Sequence, residues 1–182
     1  MNRSAFIVLL TLFFIGVSCR QNKQNDTNDT IASEQGLDSL KLQNIRNLGT
    51  LLSPESRKLV SPWVYYQQLD ELIDKYYTYS VQEVLFSAAE LTTATERARD
   101  SIPIERLKEI DVRTRLDVLH NSALRLKDMA SIPNIKIDEV NEETQQMIDA
   151  FGALNSKINN ITSQERLEAE LKDLESKIRK EN

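Results

Sequence analysis

Residues 61–98 read SPWVYYQQLDELIDKYYTYSVQEVLFSAAELTTATERA. The apolar residues Tyr66, Leu69, Ile73, Tyr77, Val81, Val84, Ala88, Leu91 and Ala98 recur three or four apart, with Thr95 taking one slot. That spacing collects them on one face of a helix with 3.6 residues per turn. Ser61-Pro62 supplies a capping hydroxyl and then a proline where a helix has no use for its amide proton. The spacing predicts one helix from Ser61-Pro62 to about residue 98, roughly 55 Å long at about 1.5 Å per residue. A helix of that length suits a bundle or a coiled-coil hairpin.

The flanking sequence continues the theme. No glycine occurs between Gly49 and Gly152, and the prolines at 54, 62, 103 and 133 stand between apolar series. Leu107, Val112, Leu116, Leu119, Ala123, Leu126 and Ala130 predict a second helix of about 25 residues. A third begins near Asp138, where Asp138, Glu139, Glu142 and Glu143 favour the positive end of the helix dipole. Its stripe is Val140, Met147, Phe151, Leu154, Ile158 and Ile161. Thr162 with Glu165 has the spacing of a capping box, predicting a break near Asn159-Asn160. A fourth piece then carries Leu167, Leu171, Leu174 and Ile178, closing on Lys177, Arg179 and Lys180. Leu37, Leu40, Ile45, Leu48 and Leu52 form a short amphipathic lead-in. No run alternates apolar and polar residues between turn signals as a strand does. The expected fold is all-α, an elongated three- to four-helix bundle with coiled-coil-like hairpins over residues 37–182.

Composition narrows the function. The chain has 182 residues, with 23 Lys and Arg against 28 Asp and Glu. This acidic balance argues against a surface built to neutralise phosphates, so nucleic acid is not an expected partner. One Cys and one His exclude a disulfide framework and a zinc site with several Cys or His ligands. Arg97, Arg99, Arg106, Lys108, Arg113, Arg115, Arg125 and Lys127 are interleaved with acids, which reads as a solvated, ion-paired face.

The N-terminus reads as an address. Asn2-Arg3 precede an apolar stretch of about 13 residues, Ala5 to Val17, and then Ser18-Cys19. The stretch is shorter than the roughly 20 residues a spanning helix needs, and it has the layout of a secretory signal. Ile15-Gly16-Val17-Ser18-Cys19 resembles a bacterial lipobox, with Gly16 where leucine is usual. The resemblance implies cleavage after Ser18 and lipidation of Cys19, with residues 1–18 as signal peptide. Residues 19–36 are polar through Thr30 and read as a disordered tether, about 20–25 Å in reach. Asp29-Thr30-Ile31 resembles a Bacteroidota O-glycosylation sequon, as do Asp38-Ser39-Leu40 and Asp100-Ser101-Ile102. Of these Thr30 is the expected acceptor, and Ser101 is read as a helix-start residue. With the helical body, the chain resembles the small helical envelope lipoproteins of Bacteroidota. That class implies a lipid-anchored location and supplies no catalytic residues; Arg20 in place of a retaining Asp, and the lack of a compact acidic cluster in the tether, make the periplasmic face of the outer membrane the expected site.

Two groups of side chains invite a functional reading. Trp63 and all five tyrosines lie within 17 residues. Tyr66 and Tyr77 share one helix face, and Tyr65 with Tyr76 form a row beside it. Tyr and Trp combine apolar area with a polar handle, so Trp63, Tyr65, Tyr76 and Tyr79 are candidate partner contacts. Plain helix packing is the competing explanation. His120, with Asp117 three residues before it and Asn121 beside it, could hold an ion weakly, although one imidazole is a poor metal site. No cofactor is expected. The leading expectation is a non-catalytic interaction or structural module that binds another envelope protein or itself. The alternative is a periplasmic helical-hairpin sensor of a small ligand or metal ion, using His120 and nearby acids. The lipobox is tested by Cys19→Ala, which is expected to abolish fatty-acid labelling and leave an unprocessed or soluble precursor. A mutant that still carries labelled fatty acid contradicts it.

Overall fold

Ser53 and Pro54 open the first helix of the computed structural model, which describes residues 49–181. The expected signal peptide, Cys19, the tether with Thr30, and the lead-in from Leu37 to Leu48 lie outside the described residues. Among the described residues five helices follow one another: α1 Pro54–Val60, α2 Val64–Tyr76, α3 Val81–Asp100, α4 Ile110–Met129 and α5 Ile137–Glu181, with a 3-10 turn at Glu105–Leu107 before α4. The all-α helical bundle expected from periodicity is the observed fold. Among the described residues, no helix is long and apolar enough to cross a membrane.

The boundaries correct the expected layout in three places. The single helix over residues 61–98 is two. Ser61 closes α1, its hydroxyl donating to the Lys58 carbonyl at 2.9 Å, and α2 begins two residues beyond Pro62. It ends at Tyr76, where the Thr78 hydroxyl donates to the Lys75 carbonyl. Ser80 then starts α3 with a true capping box. Its hydroxyl accepts from the Glu83 amide at 3.3 Å, and its own amide donates to the Glu83 carboxylate at 2.6 Å. The carboxylate's bonds to Ser80 hold the Glu83 pKa below its usual value. Ser101, read as a helix start, is the C-cap of α3, its amide donating to the Arg97 carbonyl.

The second correction concerns the third and fourth pieces, which are one helix of 45 residues. Thr162 does not cap. Its hydroxyl donates to the Ile158 carbonyl at 2.7 Å, the ordinary back-bond of a mid-helix threonine, and meets the Ser56 hydroxyl at 2.7 Å. Third, α4 is 20 residues and begins at Ile110, later than the apolar series suggested. Leu107, first of that series, is buried from within the 3-10 turn.

Burial follows the predicted stripes closely. Leu69, Ile73, Val84, Leu91, Leu116, Leu119, Leu126, Met147, Leu154 and Ile158 are fully buried in one core. α3 and α5 pack against α4, α2 packs on α3, and α1 lies on α5. Charged groups fasten α4 to α5. Arg125 of α4 donates to Glu143 of α5 at 2.7 Å, and Lys157 of α5 meets Glu109 and Asp111 at the start of α4.

The connector before α1 is held on α5 by small and amide side chains. A Cβ on Gly152 would stand 2.8 Å from the Thr50 amide nitrogen and 3.0 Å from the Gly49 Cα, so the close approach requires glycine. Gly49 itself has a φ of 70°, the left-handed conformation that glycine adopts without strain. Asn155 donates to the Thr50 carbonyl, and Asn159 donates to the Leu51 carbonyl and accepts from the Ser53 amide. These bonds satisfy the backbone of a segment that has no secondary structure of its own.

Leu116, fully buried in the core, checks this packing. Leu116→Asp is expected to cost more than about 3 kcal/mol by placing an unpaired carboxylate in an apolar site, read as collapse of the thermal unfolding transition. An unchanged melting curve contradicts the assigned core.

Candidate functional site

The aromatic cluster divides between core and surface. Trp63 and Tyr66 pack with ring centroids 5.3 Å apart, and Tyr66 stacks on Phe151 at 5.8 Å. The Tyr66 hydroxyl donates to the Asn155 side-chain carbonyl at 2.6 Å, joining the aromatic cluster to the amides that hold the connector. Tyr76 is fully buried, accepts from the Ser87 hydroxyl at 2.9 Å and lies 5.3 Å from the Tyr79 ring. The expected face of Tyr66 with Tyr77 and the adjacent row of Tyr65 with Tyr76 are therefore redistributed. Tyr66 and Tyr76 are core, Tyr77 and Tyr79 are half-buried, and Tyr65 is exposed. The break after Tyr76 starts α3 beside it, which puts Ser87 over the Tyr76 phenol.

Of the candidate partner contacts, Trp63 and Tyr76 are thus withdrawn by burial, since a side chain with no accessible surface cannot meet a partner in the folded protein. The Trp63 indole nitrogen has no hydrogen-bond partner among the described residues. Tyr65 remains available beside exposed Val64, and Tyr79 only at its edge.

His120 is occupied structurally. The Thr95 hydroxyl donates to the Thr92 carbonyl at 2.9 Å, and its oxygen is also hydrogen-bonded to His120 Nδ1 at 2.9 Å. Asp117, its expected companion, is exposed and lies 3.8 Å from Arg99. Among the described residues no group of three or more His, Cys, Asp or Glu side chains could hold a metal ion. A surface groove of about 250 Å³ between α2 and α3 is lined by Glu71, Lys75, Glu90 and Arg97 among others. Its charges are of both signs, which gives no preference for an anionic or a cationic ligand.

The surface that stands out is the C-terminal part of α5. Leu167, Leu171, Leu174 and Ile178 are 53–60% exposed. Ile161 is the last core residue, and Arg106 forms an ion pair with Glu165 one turn later. Further on, Arg166 pairs with Glu170, and Lys177 with Asp173, within the helix itself. At about 1.5 Å per residue, α5 runs roughly 30 Å past Ile161. The stripe is also rotated. With about 100° per residue, Leu167 to Ile178 face roughly opposite to the side of α5 that carries Met147, Leu154 and Ile158. Spacing alone assigns these four residues to a separate fourth helical piece. The missed signal is the six-residue step from Ile161 to Leu167, which breaks the three-and-four rhythm without breaking the helix.

Comparisons with protein-family models, curated proteins and solved structures find no match to this chain.

The buried phenols give the bundle a pH limit. Burial, the first cause in each case, pushes the Tyr66 and Tyr76 hydroxyls well above their ordinary value near 10. Both stay neutral in the folded chain while the unfolded chain ionises them, so stability is intact below about pH 10 and falls as the pH rises above it. Absorbance titration at 295 nm is expected to show these two ionising only together with loss of helical circular dichroism. In Tyr66→Phe the delayed amplitude shrinks by one tyrosine, and stability at pH 7 falls by about 1 kcal/mol. Ionisation of all the tyrosines ahead of unfolding contradicts the packing.

Proposed function

We propose that this protein is a lipid-anchored, non-catalytic envelope module that acts by helix-mediated protein contact. The observation that carries the reading is the exposed apolar stripe of α5. Four large aliphatic side chains left in water along one helix face form a patch of the kind that marks an interaction site. Helix-in-groove and helix-on-helix recognition use anchors at this spacing. The bundle supports the arm by starting α5 inside a packed core, so its helical nucleus is formed before any partner arrives.

The anchoring half of the reading is supported by the lipobox-like sequence at Cys19. Lipidation there, with the polar residues that follow, confines the module to a membrane surface, and confinement raises the effective concentration at which a short helix meets its partner. The periplasmic face of an outer membrane is the proposed location.

A photo-crosslinking residue at position 171 tests this in intact cells. It is expected to give a discrete adduct of higher mass, which disappears when Cys19→Ala releases the chain from the membrane. The same residue at exposed position 142 is expected to give none. Absence of any adduct from position 171 contradicts the interaction reading, and an adduct indifferent to Cys19 contradicts the role of the anchor.

A further inference from the structure

We infer that the exposed stripe of α5 is the seam of an antiparallel pair between two copies of this chain, an inference that rests on the interaction reading above. Leu167, Leu171, Leu174 and Ile178 follow one another at steps of four, three and four. Those are the d, a, d, a positions of a heptad, the spacing that packs helix against helix along a seam.

The flanking charges select the second copy and its direction. In this register Glu168 and Glu175 are at e positions, and Glu170 and Lys177 are at g. A parallel pair sets Glu170 of each chain against Glu175 of the other, two like-charge contacts at the edge of the seam. An antiparallel pair keeps every apolar layer, with Leu167 against Ile178 and Leu171 against Leu174, and each contact is repeated by the two-fold axis. It also sets Glu170 against Lys177 of the second copy. Lys177 already meets Asp173 at 2.7 Å, and an ammonium with three protons can serve both carboxylates.

The longer charge pattern agrees. Glu165, Glu168, Glu170, Asp173 and Glu175 weight the first part of the arm with acid, and Lys177, Arg179 and Lys180 weight its end with base. Antiparallel pairing lays the basic end of each arm on the acidic part of the other, whereas parallel pairing stacks like on like. The contact is isologous and closed, so it makes a dimer rather than a filament. One unfavourable contact, made twice by the two-fold axis, remains: Glu168 against Glu175 of the second copy, and it supplies the test.

Sedimentation velocity of the full-length chain in detergent, across low to high micromolar concentration, reads the pairing. The wild type is expected to dimerise. Leu171→Asp with Leu174→Asp is expected to stay monomeric and to melt as the wild type does at concentrations too low for pairing, because neither residue belongs to the core. Glu168→Lys is expected to tighten the dimer roughly threefold to tenfold by turning two repulsive contacts into attractive ones. In a parallel pair position 168 faces Ser163, so an unchanged affinity overturns the antiparallel assignment. A wild-type chain that is monomeric throughout overturns self-pairing and leaves the stripe to a helix of different sequence. The interaction reading is judged separately by the position-171 adduct, and intact mass of the same sample reads lipidation at Cys19.

Discussion

The contact on which the fold depends is the hydrogen-bonded and close-packed face of α5 formed by Gly152, Asn155, Asn159 and Thr162. Spaced three, four and three apart, these residues lie along one side of the helix and meet the chain from Gly49 to Ser56. Gly152 admits the backbone at van der Waals distance, the two asparagines satisfy its carbonyls and an amide, and Thr162 meets the Ser56 hydroxyl of α1. Asn155 also accepts the Tyr66 hydroxyl, so the same side chain fixes α2 against α5. A buried amide with good partners on both sides specifies a register, because any slip leaves polar groups unpaired at about 1–3 kcal/mol each.

That face also explains why α5 does not break where its sequence suggests. Asn159-Asn160 and a Thr-x-x-Glu pattern would begin a new helix on an isolated chain, but Asn159 and Thr162 are both engaged by the connector and α1. Ser80-x-x-Glu83 has the same pattern and does cap. There α2 ends with Thr78 bonding back to Lys75, which leaves the Ser80 backbone extended as a cap requires. The pattern alone does not distinguish the two cases; the tertiary contacts of Thr162 do.

Much of the fold was therefore legible in local spacing. Stripes such as Leu116-Leu119-Ala123-Leu126 and Val140-Met147-Leu154-Ile158 are buried as their periodicity predicts, since a helix can cover only one face. The break at residues 77–80 was hidden because Tyr77, Val81 and Val84 keep helical spacing across it. The surface was less legible. Trp63 and Tyr76 have the residue types of a binding site and are buried, Trp63 against Tyr66 and Tyr76 under Ser87 of α3, by packing that no local pattern reports. Leu167, Leu171, Leu174 and Ile178 look like core and are exposed, because burial depends on where neighbouring helices end. In this way α5 has two functions along one axis, spine of the bundle as far as Ile161 and apolar arm beyond it.

Amide hydrogen exchange along α5, at a concentration low enough to keep the chain monomeric, tests that division most directly. The account predicts that amides from Val140 to Ile161 exchange only with global unfolding, while those from Leu167 to Ile178 exchange orders of magnitude faster, as an uncovered helix frays. Equal protection across both parts would contradict it, because the apolar stripe would then be covered by its own bundle.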